Sequence, residues 1–372
     1  MSNSSVRVRV PATSANLGPG FDALGLALGL HDEIEASLFE PESGAHGTSV
    51  RIRIEGEGAG ELDEGEDHLI VRTMRVAFDR MGVPQPRGIR LRCVNRIPHA
   101  RGLGSSSAAI CAGILAARAL AAPHAARAAP RGERPGTGEG TRDGRAPAGG
   151  VAHGGEPGEN PGSGLGGGLG GNSGGELRGE TPPGAALLSD DEVFALATEL
   201  EGHPDNVAPC LAGGLTIAWL DHSGRPSMVK LNPHSGIRPV VCIPGERLST
   251  ERARGLLPKD VPHADAAANA GRAALLVAAL TQHPDPRLLL AATEDRLHQD
   301  YRAPAMPRTA NLVKTLRAKG VPAVVSGAGP TVLALATPDT QDLIAREVGN
   351  DWLIQPLSVD PAGSFVQFPE TR

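Results

Sequence analysis

The sequence predicts an α+β fold, and three observations carry that expectation. Alternating apolar and polar residues mark half-buried strands at Val6–Val10 and Val50–Ile54, with a looser alternation over Ile89–Arg92. Helical patterning covers Ser105–Leu120, Ala264–Leu280 and Thr309–Lys319. These strands and helices do not alternate in the regular βαβ order of a parallel-sheet protein.

Each element has a local reason. In Val6-Arg7-Val8-Arg9-Val10 the valines share one face of a strand and the arginines the other. Ser105–Leu120 is rich in alanine, the residue that costs least to hold in a helix. Ser189 followed by Asp190, Asp191 and Glu192 combines an N-cap with acidic residues in the first turn of a second helix. After Gly213 and Gly214, Leu215–Leu220 has strand length and composition. Val240–Ile243, Ala323–Ser326 and Thr331–Ala336 are short apolar runs of the same kind.

At 372 residues the chain is long enough for two domains with their own cores. It holds only two Trp, one Tyr and six Phe, so alanine and leucine do the packing, which suits helices lying on a sheet. A net charge of −6 with no long basic run argues against a nucleic-acid partner. The opening MSNSSVRVRV lacks the apolar core of a signal peptide. No uninterrupted apolar stretch approaches the ~20 residues that span a bilayer, so no membrane association is expected. Cys93, Cys111, Cys210 and Cys242 show no metal-ligand spacing and read as isolated buried thiols of a reducing cytoplasm.

One stretch stands apart. Between Arg131 and Gly184 there are 21 glycines and six prolines in 54 residues, against four bulky apolar residues. Such a composition cannot bury enough surface to offset the entropy of ordering it. The expectation is a disordered insertion over residues 122–186. It interrupts an N-terminal domain formed by 1–121 and 187–234, which a C-terminal domain follows over 235–372. The GLGGGLGG run inside it lacks a flanking strand, helix and Lys, so it is not read as a phosphate loop.

The candidate phosphate loop is Pro98-His99-Ala100-Arg101-Gly102-Leu103-Gly104-Ser105-Ser106-Ser107-Ala108-Ala109. A strand ends before it and a helix begins within it. Glycines let backbone N–H groups approach an anion, and the helix N-terminus adds its positive end. Serine hydroxyls can bond phosphate or enter the shell of Mg²⁺. An ordinary loop with a serine N-cap fits the same residues. The lysine of a P-loop is absent.

Gly102–Ala109 resembles the second signature of the GHMP kinases, and Val325-Ser326-Gly327-Ala328-Gly329-Pro330-Thr331-Val332 resembles the third. Pro11–Gly25, containing Asn16, Gly18, Pro19, Gly20 and Asp22, resembles the first signature in the branch that acts on homoserine. So does Glu201-Gly202-His203-Pro204-Asp205-Asn206. The resemblance implies an N-terminal domain of the ribosomal-S5 type, a ferredoxin-like C-terminal domain and an active site between them. It implies ATP with Mg²⁺ as cofactors, L-homoserine as acceptor and room for a homodimer. A mevalonate-type kinase and a non-catalytic ligand sensor of the same fold are the rival readings.

The resemblance also implies residue roles. Pro98, Arg101, Gly102, Leu103, Gly104, Ser105, Ser106, Ser107 and Ala108 would bind the nucleotide, and Ser326, Gly327, Ala328 and Gly329 would brace that loop. Ser106 and Glu201 would hold the metal, some relatives having a longer spacing between the Glu and the His. Asn16, Asp22, His203, Asn206, Thr250, Arg254 and Arg302 would hold the acceptor, the two arginines gripping its carboxylate bidentately. Asn16 and Asp22 also suit the turn around Gly18-Pro19-Gly20. A solvated helix-to-strand turn is the other reading of the 201–206 segment. For catalysis the candidates are Ser106, Asp205 and Asn206. Asn206 is expected at the acceptor hydroxyl, which leaves no protein base, and Asp205 as base is the lesser alternative.

Overall fold

The computed structural model describes residues 5–42, 48–128, 187–336 and 340–368. Eleven strands are present among them: β1 (Ser5–Ala15), β2 (Leu24–Phe39), β3 (Ser49–Gly56), β4 (Gly88–Asn95), β5 (Leu215–Leu220), β6 (Pro226–Leu231), β7 (Arg238–Pro244), β8 (Ala323–Val325), β9 (Val332–Ala336), β10 (Trp352–Pro356) and β11 (Phe365–Gln367). The helices are α1 (Leu69–Arg80), α2 (Ser105–Ala128), α3 (Asp190–Glu201), α4 (Pro204–Ala212), α5 (Thr250–Arg254), α6 (His263–Thr281), α7 (Pro286–Ala292), α8 (Gln299–Arg302), α9 (Pro307–Ala318) and α10 (Gln341–Val348).

β11-β1-β2-β4-β3 form the main path of a seven-stranded sheet, to which β5 adds through β2 and β6 through β5. Its pairs are antiparallel except β3–β4, whose crossover is α1. β1 changes register against β2 at Pro11/Ala12. A proline has no N–H for the ladder, so an irregularity is where a strand tolerates it. Helices α2 and α4 pack on this sheet, α2 against β1 and α4 against β1, β2 and β5, and α1 packs against α2.

The second sheet runs β10-β7-β9-β8, all antiparallel. With strands numbered in chain order this is the 4-1-3-2 order of a ferredoxin-like domain. Val241 and Ile243 of β7 join the main core, while Val240 and Cys242 face a second core with Leu316 of α9 and Ile344 of α10. Both faces are covered, which is why β7 reads as a continuous apolar run.

Several expectations change. The N-terminal sheet recovers the C-terminal end of the chain: β11 pairs with β1, Val8 opposite Val366. The strand covers an edge that β1 would otherwise leave unpaired, so residues 365–367 do not belong to the second domain. Helix α2 continues through Ala128, past the expected start of the insertion at 122; the remainder of that insertion, including 131–184, lies outside the described residues. Ser105–Ala122 is long and apolar enough to cross a membrane by length and composition, yet 72% of it is buried inside the protein. It is the core helix of the fold. All four cysteines are buried and free, but Cys111 and Cys210 are not isolated. Their side chains meet between α2 and α4, and burial, reinforced by that contact, raises the Cys111 pKa.

Candidate active site

β4 ends at Asn95, and the chain turns through residues 96–104 into α2. Gly102 and Gly104 sit at φ 74° and 71°, the left-handed region that suits glycine. A Cβ on Gly102 would stand 2.2 Å from the Ser326 carbonyl oxygen. The two glycine-rich loops therefore meet backbone to backbone. Ser326 Oγ lies 2.6 Å from the Gly102 carbonyl oxygen and 2.8 Å from Ser14 Oγ, and Gly327 N–H donates to the Ala15 carbonyl. Ala328 lines the cavity in front of this junction, and Gly329, at φ 84°, packs against Gly102, its N 2.9 Å from a Cβ placed there.

The first-turn N–H groups of α2, at Ser105, Ser106 and Ser107, have no intrahelical partners, an arrangement suited to seating an anion. Pro98, Leu103 and Ala108 are buried supports of the loop. Arg101 does not face this seat: its guanidinium donates to the carbonyls of Pro244 (3.0 Å) and Gly245 (3.1 Å), tying the loop to the C-terminal domain.

Opposite the seat, α3 ends at Glu201 with Gly202 as its left-handed cap, φ 91°. Ser106 Oγ donates to Glu201 Oε2 at 2.9 Å. Burial raises the Glu201 pKa, and the Ser106 hydrogen bond only partly opposes it. The next residues form no solvated turn. Pro204–Ala212 is a helix buried along its whole length, set so close to β2 that a Cβ on Gly25 would meet the Asp205 carbonyl oxygen at 2.1 Å. Asp205 is fully buried, with Oδ1 2.9 Å from His203 Nδ1 and Oδ2 without a hydrogen-bond partner among the described residues. Burial disfavours a charged His203, but the Asp205 carboxylate outweighs it and raises the pKa. Asn206 Oδ1 accepts a 2.7 Å hydrogen bond from Thr13 Oγ1.

The far end of the cleft carries charge. Asn16 and Asp22 both adopt positive φ (54° and 53°), and Asn16 Oδ1 accepts the Asp22 N–H at 2.8 Å. The turn reading of these residues is thus correct, and Asn16 also lines the cleft. Asp22 is held bidentately by Arg254, at 2.6 and 3.2 Å. Arg302 is fully buried, yet its Nε and Nη2 have no hydrogen-bond partners among the described residues. Its Nη1 donates to His298 Nδ1 at 3.2 Å, and His298 Nε2 in turn donates to the Gly18 carbonyl at 2.7 Å. Burial and the neighbouring Arg254 lower the Arg302 pKa. The Phe21 ring lies within 5.8 Å of the Arg254 guanidinium and 5.2 Å of that of Arg302.

These groups share one cavity of about 240 Å³, lined by Asn16, Gly102, Gly104, Ser105, Ser106, Glu201, His203, Asn206, Thr250, Arg254, Arg302, Gly327 and Ala328. Asp205 and Ser107 are fully buried and do not line it, and Asp22, partly exposed, reaches it through Arg254. Ala100, Leu248 and Ser249 complete it and were not foreseen. A second cavity of about 290 Å³ adjoins the first through Ser105 and Ser106 and includes Asp67, His68, Leu69, Asn95 and His99. Sequence reading missed it. The one local signal was His68, whose ring caps α1 by accepting from the Ile70 N–H.

Comparison with known proteins places this geometry in a family. The GHMP kinases N terminal domain matches residues 68–134 and the GHMP kinases C terminal domain matches 267–354. The chain is 49% identical to a homoserine kinase of Streptomyces coelicolor, covering 98% of this chain and 94% of that one. It is 38% identical to the homoserine kinase of Mycobacterium tuberculosis over 91% and 87%. The crystal structure of homoserine kinase from Cytophaga hutchinsonii superimposes with a TM-score of 0.69 at 22% identity, over 99% and 98% of the two chains. A mevalonate diphosphate decarboxylase from Enterococcus faecalis has the same fold, with a TM-score of 0.59 at 12% identity over 99% and 100%, so the fold alone does not choose the acceptor. The chain belongs to the GHMP kinases, in the branch of that family formed by the homoserine kinases.

Proposed function

We propose that the protein transfers the γ-phosphoryl group of ATP to the side-chain hydroxyl of L-homoserine, giving O-phospho-L-homoserine and ADP. The observation that carries this reading is the buried Arg302, whose unpartnered Nε and Nη2 lie beside Arg254 in the acceptor cavity. A buried guanidinium without partners is costly, and a carboxylate supplies the missing acceptors in its own fork geometry. Asp22, paired with Arg254, suits an ammonium group. Together they match a zwitterionic α-amino acid better than mevalonate or a sugar.

The second cavity has the size and position for the nucleoside, because Ser105 and Ser106 border both cavities and the phosphates would cross between them. Phosphoryl transfer asks mainly for alignment and for neutralised charge. The N–H groups of Gly102–Ser107 would hold the phosphates. Ser106 Oγ and Glu201 offer a hydroxyl and a carboxylate 2.9 Å apart, a donor set that fits Mg²⁺ shared with phosphate oxygens. When bound, that ion would neutralise phosphate charge.

A coupled ADP-release assay across homoserine, threonine, mevalonate and galactose tests the reading. Turnover with homoserine far above the others is expected; preference for mevalonate or galactose overturns it.

A further inference from the structure

We propose that Thr13 is a positioning residue for the transfer, holding the Asn206 amide with its oxygen turned inward and its amino group toward the acceptor hydroxyl. The inference rests on the reading of the cleft as a homoserine kinase site. Thr13 lies on β1, fully buried, and Asn206 in the first turn of α4 is 9% exposed. Thr13 Oγ1 donates to Asn206 Oδ1 at 2.7 Å. That is the only side-chain hydrogen bond of Thr13 among the described residues, and a hydroxyl has a single proton to give.

The threonine has little freedom to do otherwise. Its N–H donates to the Leu103 carbonyl at 3.0 Å, which ties β1 to the phosphate loop. Its Oγ1 fills the space where a Cβ on Gly104 would stand, 1.9 Å away. The hydroxyl is thus wedged between the loop and α4. With the amide oxygen turned to Thr13, the planar group leaves its amino side for the cleft that Asn206 lines.

An amino group donates and cannot take a proton. An N–H from Asn206 to the acceptor oxygen leaves that oxygen a lone pair directed at phosphorus. The oxygen–phosphorus bond forms as the bond from the γ-phosphorus to the β–γ bridging oxygen breaks. The hydroxyl proton leaves to an oxygen of the transferring phosphoryl group or to water, and no proton passes to Asn206.

Steady-state kinetics of Thr13→Val and Thr13→Ser test this against the wild type with homoserine. Failure of the wild type to use homoserine would sink the functional reading and leave the orientation argument standing on other acceptors. Given that activity, Thr13→Val is expected to lower kcat on the order of 10- to 100-fold, as misalignment of a reacting group does. Both KM values should stay within about threefold. Thr13→Ser should recover most of the turnover, and Thr13→Val should add little loss to Asn206→Ala. Thr13→Ala makes the same comparison if valine is not accommodated. Wild-type kcat in a folded variant lacking the hydroxyl, a loss confined to KM, or no recovery with serine would each overturn the proposal.

Discussion

Arg254 and Asp22 hold each other across the acceptor end of the cleft, Nη2 to Oδ1 at 2.6 Å and Nη1 to Oδ2 at 3.2 Å. The first contributes from α5 of the C-terminal domain, the second from the turn after β1. In the proposed complex each has a different partner: the guanidinium takes the substrate carboxylate and the aspartate its ammonium group. The amino acid would replace one internal ion pair with two across its own length. An acceptor with a single charge leaves one member of the pair unmatched.

Arg254→Ala is therefore expected to raise the KM for homoserine roughly 10- to 150-fold, the equivalent of ~1.5–3 kcal/mol for a lost charge-assisted contact. The KM for ATP should change little. 4-Hydroxybutyrate, which lacks the ammonium group, should be a poor acceptor for the wild type. Initial rates with each substrate varied check both points, and equal shifts in the two KM values would argue against the assignment.

Ser106→Ala and Glu201→Ala should raise the Mg²⁺ concentration needed for half-maximal turnover. The reason is that the two side chains meet at 2.9 Å beside the phosphate seat and together offer oxygen ligands. A magnesium titration at saturating ATP and homoserine measures this. An unchanged midpoint in either variant removes that residue from the metal's surroundings.

Gly102→Ala tests the junction of the two glycine-rich loops. The substitution forces an L-residue into φ 74° and sets its Cβ 2.2 Å from the Ser326 carbonyl oxygen. A loss of at least about 2 kcal/mol in denaturant unfolding is expected, together with loss of activity. Gly60, also at positive φ but with open space around it, should cost less on the same substitution.

His298 should make stability depend on pH. Burial lowers its pKa from 6.5, and the nearby Arg302 works in the same direction against the pull of Asp295 and Asp22. An unfolded chain binds a proton as pH falls through about 6.5, whereas the folded chain does not. The contribution is complete above that value and is lost below it, by at most about 1.4 kcal/mol per pH unit. His298→Gln should flatten this part of the profile. Comparison of the two proteins separates it from Asp32, Glu201 and His203, whose raised pKa values act in the opposite sense.

The sequence by itself determined what depends on neighbours along the chain. The alternation of β1 and β3 was legible because it follows from a two-residue period. The start of α3 was legible because its capping box closes within four residues, Ser189 N–H to Glu192 and Glu192 N–H back to Ser189. Gly102 and Gly104 were legible because the turn into α2 holds both in the left-handed region that glycine favours, and the signature segments carried the family resemblance. Only the tertiary structure decided the rest. The 204–212 segment became a buried helix because β2 offers Gly25 beneath it. The second cavity, the meeting of Cys111 with Cys210 and the return of β11 to β1 all join residues remote in sequence. So does the hydrogen bond between Thr13 and Asn206, 193 positions apart. Local pattern records what one segment must bury or cap, whereas the partner that it meets is set by how whole sheets and helices pack.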